Sequence, residues 1–281
     1  MHEFICRIFW YSGLSALGFR IHSIIRRSHV RVFNYHDVPM SDKKHFEAQI
    51  DYLLGKYQSI TPDQLSSLLK GELNLDKPGI IFTFDDGFVS HATYVADVLS
   101  ERGIVGWFFV PTCAVSVSPD AQMDWALENQ IFRKDPKTFG LQVFGSWEQW
   151  REVLENHVIA SHTHDHLRFE SKVSEKEVER QLRKSMDVLK QELRIENRTF
   201  CYVGGELTSY TSNAARTIKS LGIELAFTTC SKVVTEDTDP RRVERTNIES
   251  HFSIKRVAMC CSGIVDLRYF MKRRKLNKVF R

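Results

Sequence analysis

Three groups of residues in this sequence carry side chains that could do chemistry. The first is Asp85-Asp86-Gly87, reached through Ile80-Ile81-Phe82-Thr83-Phe84. A run of apolar and β-branched residues reads as a strand buried on both faces. Two adjacent carboxylates at the end of such a strand repel each other, and desolvation there raises the pKa of both. A bound cation removes that cost; a solvated Asp-Asp-Gly turn is the plainer alternative. The second group is Ser161-His162-Thr163-His164-Asp165-His166, after the short apolar run Val158-Ile159-Ala160. His162 and His166 are four apart, so a turn of helix would bring both rings to one side. Two imidazoles and one carboxylate form a facial set for a divalent cation, with positions left for water or substrate. His162 with His164, from an extended segment, is the rival pair, and a solvated histidine-rich loop is the alternative to both. The third group is His36-Asp37, at the end of the alternating stretch Val30 to Tyr35.

The segments around these groups alternate in period. Helices are expected over Phe46 to Leu54, from Pro62 to Leu69 after Thr61, from Ser90 to Arg102 with Gly103 as C-cap, around Trp147 and Trp150, and over Ser212 to Ser220. Ser174 to Leu193 is the strongest helix, with Ser174 and Glu177 as a capping box and Val178, Leu182, Leu189 and Leu193 on one face. Seven strands are expected, beginning near Val30, Ile80, Ile104, Val158, Thr199, Glu224 and Val243. Residues 115–145 lack a clear period and read as an insertion. Strands and helices alternating without a linker predict one α/β domain with a parallel sheet or barrel. His36, Asp85, Asp86, His162 and Gly204 all follow the C-terminal ends of strands, the face on which a β/α barrel builds its site.

The 281 residues suffice for one large domain, and the hydrophobic fraction of 42% is that of a globular protein. The net charge of +4 is unevenly spread: residues 1–31 carry +4 and residues 268–281 carry +7, leaving −7 between them. An acidic body with basic ends speaks against a nucleic-acid binder, which needs a basic face on the fold itself. It suits ends that touch an anionic membrane surface. The six cysteines form no CxxC pair, so free thiols in a reducing compartment are expected. Ile5 to Ile25 reads as one amphipathic helix with Arg20, Arg26 and Arg27 near its end, either packed on the domain or lying at a membrane interface. The expected organisation is a helical segment 1–29, a domain 30–260 and a basic tail 261–281, in a cytoplasmic protein at the inner face of the membrane.

Thr83-Phe84-Asp85-Asp86-Gly87 together with His162-Thr163-x-x-His166 resembles the first two motifs of the polysaccharide deacetylases, the NodB-homology group of carbohydrate esterase family 4. Tyr35-His36-Asp37-Val38 and the pattern from Phe46 through Ile60-Thr61 to Gly71 are also similar to its bacterial members, and the resemblance covers roughly residues 30–250. It implies a distorted (β/α)7 barrel and metal-dependent removal of an N-acyl group, usually acetyl, from an amino sugar in a polysaccharide or lipid-linked glycan precursor. Carried over residue by residue, Asp85 is the general base and Asp86, His162 and His166 hold the metal, with zinc the first choice and cobalt, nickel or manganese as alternatives. Phe200-Cys201-Tyr202-Val203-Gly204-Gly205 stands where the third motif falls, which makes the Gly204 N–H the oxyanion donor. The sequence departs from the family there: Cys201 replaces the usual arginine, and no Leu-x-His motif occurs near the C-terminus. The general acid is then His36, with His251 second. These departures also leave open a catalytically impaired barrel that only binds a glycan or lipid-linked sugar. Trp125, Trp147 and Trp150 could stack on sugar rings but fit packing roles as well.

Overall fold

The structure is a computed structural model in which residues 3–26, 28–132, 142–205 and 209–279 are described; Arg27 and residues 133–141 of the expected insertion lie outside them. Two helices, α1 (Glu3–Tyr11) and α2 (Leu14–Ile25), precede β1 (Val30–Tyr35). Then come α3 (Lys43–Leu54), β2 (Gln58–Ser59), α4 (Pro62–Leu69), β3 (Gly79–Phe84) and, after a π-turn over His91–Val95, α5 (Ala96–Ser100). The chain continues with β4 (Gly106–Val110), α6 (Thr112–Val115), α7 (Gln122–Glu128), α8 (Trp147–Leu154), β5 (Val158–Ser161), α9 (Glu175–Leu193) and β6 (Thr199–Cys201). It ends with α10 (Ser212–Ser220), β7 (Leu225–Thr228), β8 (Val243–Glu244), β9 (Thr246–Asn247), α11 (Ile254–Cys261), α12 (Ile264–Arg268) and α13 (Phe270–Val279).

The strands form a parallel sheet in the order β8-β7-β6-β5-β4-β3-β1-β9, with β2 added beside β3. Only Arg245 separates β8 from β9, so one short segment pairs with β7 through its first half and with β1 through its second. That shared segment nearly closes the sheet into a barrel. The expected single strand over Val243–Ile248 is therefore kinked into two, because it must bridge two staves that diverge. Ser231 N–H donates to the Arg245 carbonyl at 3.0 Å and Val234 bridges Val30, covering the remaining gap.

Side-chain parity sorts the core into two layers. Val30, Val32, Ile81, Trp107, Phe109, Phe227 and Val243 fill the barrel interior. Their neighbours Phe33, Tyr35, Phe82, Phe84 and Phe108 face outward and pack beneath the helices. Every residue of β1, β3 and β4 is buried, as parallel strands covered on both faces must be. Trp150 belongs to this packing, Trp125 lies edge-on against Phe144, and Trp147 donates its Nε1–H to Ser116 Oγ at 3.2 Å.

Helix entries follow their caps. Thr61 and Gln64 form a reciprocal capping box with Pro62 in the first turn of α4. Ser174 accepts from the Glu177 N–H, but the Glu177 carboxylate turns to Arg180 and Gln181, so the expected second half of that box is replaced by side-chain pairs. The expected single N-terminal helix is two, because Gly13 takes a left-handed conformation (φ 75°) between α1 and α2. Likewise the expected helix from Ser90 opens with a π-turn whose Thr93 leaves helical geometry, its hydroxyl bonding back to the Val89 carbonyl at 2.8 Å.

Candidate active site

The parity that sends Val30, Val32 and Ile81 inward also sends Asn34, Thr83 and Asp85 inward, at the C-terminal mouth of the barrel. Asp85 extends β3 by one hydrogen bond, its N–H donating to the Tyr35 carbonyl at 3.0 Å. Its carboxylate is buried and held on both oxygens. Arg245 Nη1 donates to Oδ1 at 2.7 Å and Nη2 to Oδ2 at 2.8 Å, while Asn34 Nδ2 donates to Oδ2 at 3.0 Å. The guanidinium is itself buried and fixed by Asn34 Oδ1 at 2.8 Å and the Thr228 carbonyl at 3.2 Å. Burial pushes the Asp85 carboxyl up, but the charge and hydrogen bonds of Arg245 outweigh this and hold it below the usual value.

Asp86 points elsewhere. Its Oδ1 lies 3.5 Å from His162 Nε2 and 3.1 Å from His166 Nε2. The opposite nitrogen of each ring is engaged by a backbone carbonyl: His162 Nδ1 with Cys201 at 3.0 Å, and His166 Nδ1 with Asn129 at 2.8 Å. A ring that donates from Nδ1 carries its lone pair on Nε2, so both imidazoles present acceptors toward Asp86 Oδ1. Two lone pairs converging on a carboxylate oxygen lack a proton or a cation between them. This donor set fits a divalent cation, since one atom from each of Asp86, His162 and His166 lies within 4.8 Å of the others. A second grouping, Asp85 with His162 and Cys201, meets the same limit. It suits a cation less well, because Arg245 already occupies Asp85 and its positive charge opposes another.

The backbone around these ligands is strained. Asp86 (φ 74°), Thr163 (φ 67°) and His166 (φ 53°) are left-handed without being glycine. Each such residue costs of order 1–3 kcal/mol, which the surroundings must overrule. Gln181, buried on α9, does so by accepting the N–H groups of His164 and Asp165 at 3.0 and 2.8 Å. Thr163 Oγ1 accepts the Leu167 N–H at 2.9 Å. The expected helical turn over His162–His166 is therefore absent; the two rings meet, with centroids 5.2 Å apart, through this clamped loop. His164 turns away to Thr112 Oγ1 at 2.8 Å, which separates it from the Asp86 cluster.

His36 stands at the end of β1, with Nδ1 3.2 Å from Glu249 Oε1. Burial lowers its pKa, but the Glu249 hydrogen bond and the charges of Asp86 and Asp85 outweigh that and lift it to about 9. His251 is exposed and edge-on to Phe252. Gly204 has φ 82°, and a Cβ there would meet Arg168 Nε and Ser209 Oγ at 3.0 Å, so a side chain at this position is strained. Arg245 is the residue that the sequence reading passed over. Its signal is a charged residue inside the expected strand Val243 to Ile248.

A family model described as polysaccharide deacetylase matches residues 72–226, more than half of the chain. The chain belongs to the polysaccharide deacetylase family. The match includes Asp85, Asp86, His162, His166 and Gly204 but neither His36 nor Arg245. Among solved structures, IcaB from Ammonifex degensii superposes with a TM-score of 0.66 at 25% identity, covering 84% of this chain and 98% of its own. The Streptococcus pyogenes deacetylase PplD, in complex with acetate, gives 0.64 at 16% identity over 83% and 98%. A de-N-acetylase from Aggregatibacter actinomycetemcomitans gives 0.62 at 15% over 82% and 99%; the last two likenesses speak for the fold. No curated protein matches at a significant level. The nearly closed barrel of this family member is the NodB type.

Proposed function

We propose that the chain is a metal-dependent hydrolase that removes an N-acetyl group from an amino sugar in a polysaccharide or a lipid-linked glycan precursor. The observation that carries this reading is the division of labour between two adjacent carboxylates. Asp86 faces two imidazole lone pairs, and Asp85 is turned from them onto Arg245. A cation held by Asp86, His162 and His166, zinc by the character of the donors, supplies Lewis acidity toward water and the acyl oxygen.

The chain's own groups do the rest. Asp85 is ionised and accepts the proton of the attacking water. Arg245 Nη2 and Asn34 share Oδ2, whereas Oδ1, bonded to Arg245 Nη1, has among the described residues only the long 3.8 Å contact of the Cys201 thiol besides, so Oδ1 is the oxygen that takes the proton. His36, whose pKa the Glu249 hydrogen bond raises, donates its proton to the departing amine. The Gly204 N–H supports the oxyanion. The reading of a barrel that only binds sugar rests on Cys201 standing in place of an arginine and on the missing Leu-x-His motif. Arg245, between β8 and β9, supplies a guanidinium to Asp85, which answers the first of these and favours the hydrolase.

Zinc titration calorimetry and acetate release, from chitooligosaccharides and from a lipid-linked N-acetylated sugar, test the assignment together. Asp86→Ala should lose both zinc and acetate release, while Asp85→Asn should keep zinc and lose acetate release. Acetate release that survives Asp86→Ala sinks the mechanism, and the two substrates compared narrow the glycan.

A further inference from the structure

Of the sixteen large apolar side chains exposed among the described residues, thirteen lie on α1, α2, α12 and α13. They are concentrated on four helices outside the barrel, so chance scatter does not account for them. The pattern on α2 is inverted. Leu14, Leu17, Ile21 and Ile24 recur at spacings of three, four and three, one stripe of a helix, and all are exposed, with Ile24 at 74%. The side turned toward the protein carries Ser15, Gly18 and His22, with Phe19 the one large apolar residue there. Gly18 abuts Ser262 so closely that a Cβ would lie 3.1 Å from its Cβ, and His22 Nε2 lies 3.6 Å from Asp266 on α12. A helix folded for water puts such a stripe inward. Here small and polar groups pack inward and branched aliphatics face out.

The adjoining helices continue the surface. Leu267, Phe270 and Met271 are exposed on α12 and α13, immediately beyond the Asp266 that touches α2. Cations rim it: Arg20 and Arg26 on the α2 side, Arg268, Lys272, Arg274 and Lys275 on the other, all exposed. The four helices hold only two acids. Asp266 is buried against Arg31 at 2.8 Å, and Glu3 is bonded to Ser253. The Lys272 ammonium lies over the Tyr269 ring, 5.3 Å from its centroid.

We propose that this face docks on an anionic lipid bilayer, with the aliphatic stripe of α2 in the acyl boundary and the basic rim among the headgroups. No described helix is long and apolar enough to cross a membrane, so the contact is interfacial. Charge selects the occupant. A second copy of the chain would set the same cations against each other, and the exposed carboxylates nearest the described rim, Glu236 and Asp237, sit at one end of it, in a pocket with Ile25 and Arg26. The stripe offers methyl groups and no polar registration for a folded partner. The proposal stands apart from the catalytic assignment, since it reads binding and not turnover.

The test is flotation of the full chain with vesicles of phosphatidylcholine alone or mixed with phosphatidylglycerol. The chain should float with the mixed vesicles and dissociate as salt rises. Leu17→Ser/Ile21→Ser/Ile24→Ser should bind at least about tenfold more weakly. Lys272→Gln/Arg274→Gln, which alters only exposed side chains, should reduce binding to mixed vesicles toward that on phosphatidylcholine alone. Melting temperatures equal to wild type confirm folding, and if the triple variant fails this check the charge variant carries the test. Absence of flotation, binding indifferent to the charge variant, or a stable dimer that the aliphatic variant splits would each overturn the proposal.

Discussion

Arg245 holds the base that the proposed chemistry depends on, and its replacement can be worked through from the geometry. Arg245→Met keeps length and volume but removes the fork on Asp85. Opposite unit charges about 4 Å apart at an effective dielectric near 20 attract by about 4 kcal/mol. Removing one member of a buried pair costs roughly 3–5 kcal/mol, because the survivor stays buried without compensation. Asp85 would retain Asn34 Nδ2 and the long Cys201 contact, too little for a buried carboxylate. Against a total stability of about 5–15 kcal/mol, the urea midpoint should fall steeply. Acetate release should drop by about a hundredfold or more, since the carboxylate loses orientation and its protonation becomes easier. Zinc affinity should change little, because Asp86, His162 and His166 have no bond to Arg245 among those described. Arg245→Lys keeps charge without the bidentate fork and should fall between. Urea denaturation, zinc calorimetry and acetate release on the same preparations give the answer. If Arg245→Met stays within about 1 kcal/mol of wild-type stability and within a few-fold of its activity, the role given to Arg245 is wrong.

The other predictions concern the acid, the pH range and a turn. His36→Gln should slow acetate release by about 10²–10⁴-fold; because the Glu249 hydrogen bond raises the His36 pKa, the wild-type rate should fall on the alkaline side and the variant should lack that limb. Burial lowers His22 and His29 to about 4, so the folded state binds fewer protons than the unfolded one between pH 6.5 and 4. Stability should therefore decline as pH falls through that window, by roughly 3 kcal/mol for either histidine alone, which urea titrations at pH 7 and 4.5 would read; equal midpoints would contradict it. Gly205→Ala should destabilise by about 2–4 kcal/mol, because φ is +61° and a Cβ would sit 2.2 Å from Thr229 Oγ1. Adding Thr229→Ala should recover part of the lost melting temperature, and no recovery would mean that backbone strain, not the clash, sets the cost.

Much of the scaffold was legible because it rests on local rules. The Ile80–Phe84 and Val158–Ser161 strands, the Thr61-Pro62 helix entry and the long face of α9 each follow from a repeat or a cap within a few residues. The proposed metal ligands were legible as types and spacings. The route that joins them was not. The spacing of His162 and His166 suggested a helix, and the chain reaches the same proximity through left-handed Thr163 and His166, stabilised by Gln181 from another element. Thr163 is held by near neighbours, Ser161 Oγ and the Leu167 N–H, but Gln181, which accepts the N–H groups of His164 and Asp165, comes from α9 and has no signature within the loop.

What the sequence by itself determined is the alternating α/β order, the strand ends that carry Asp85, Asp86 and His162, and the basic termini. These depend on period, propensity and composition, which are properties of neighbours along the chain. Tertiary structure alone decided that Arg245 takes the position Cys201 leaves without a guanidinium, that Glu249 meets His36, and that α2 turns its aliphatic stripe outward. Each of these joins residues about 160 to 250 positions apart, or sets one helix face against another. Closing the barrel at Val243–Asn247 brings the last strand back beside the first, and only that closure puts a guanidinium next to the first of the two aspartates.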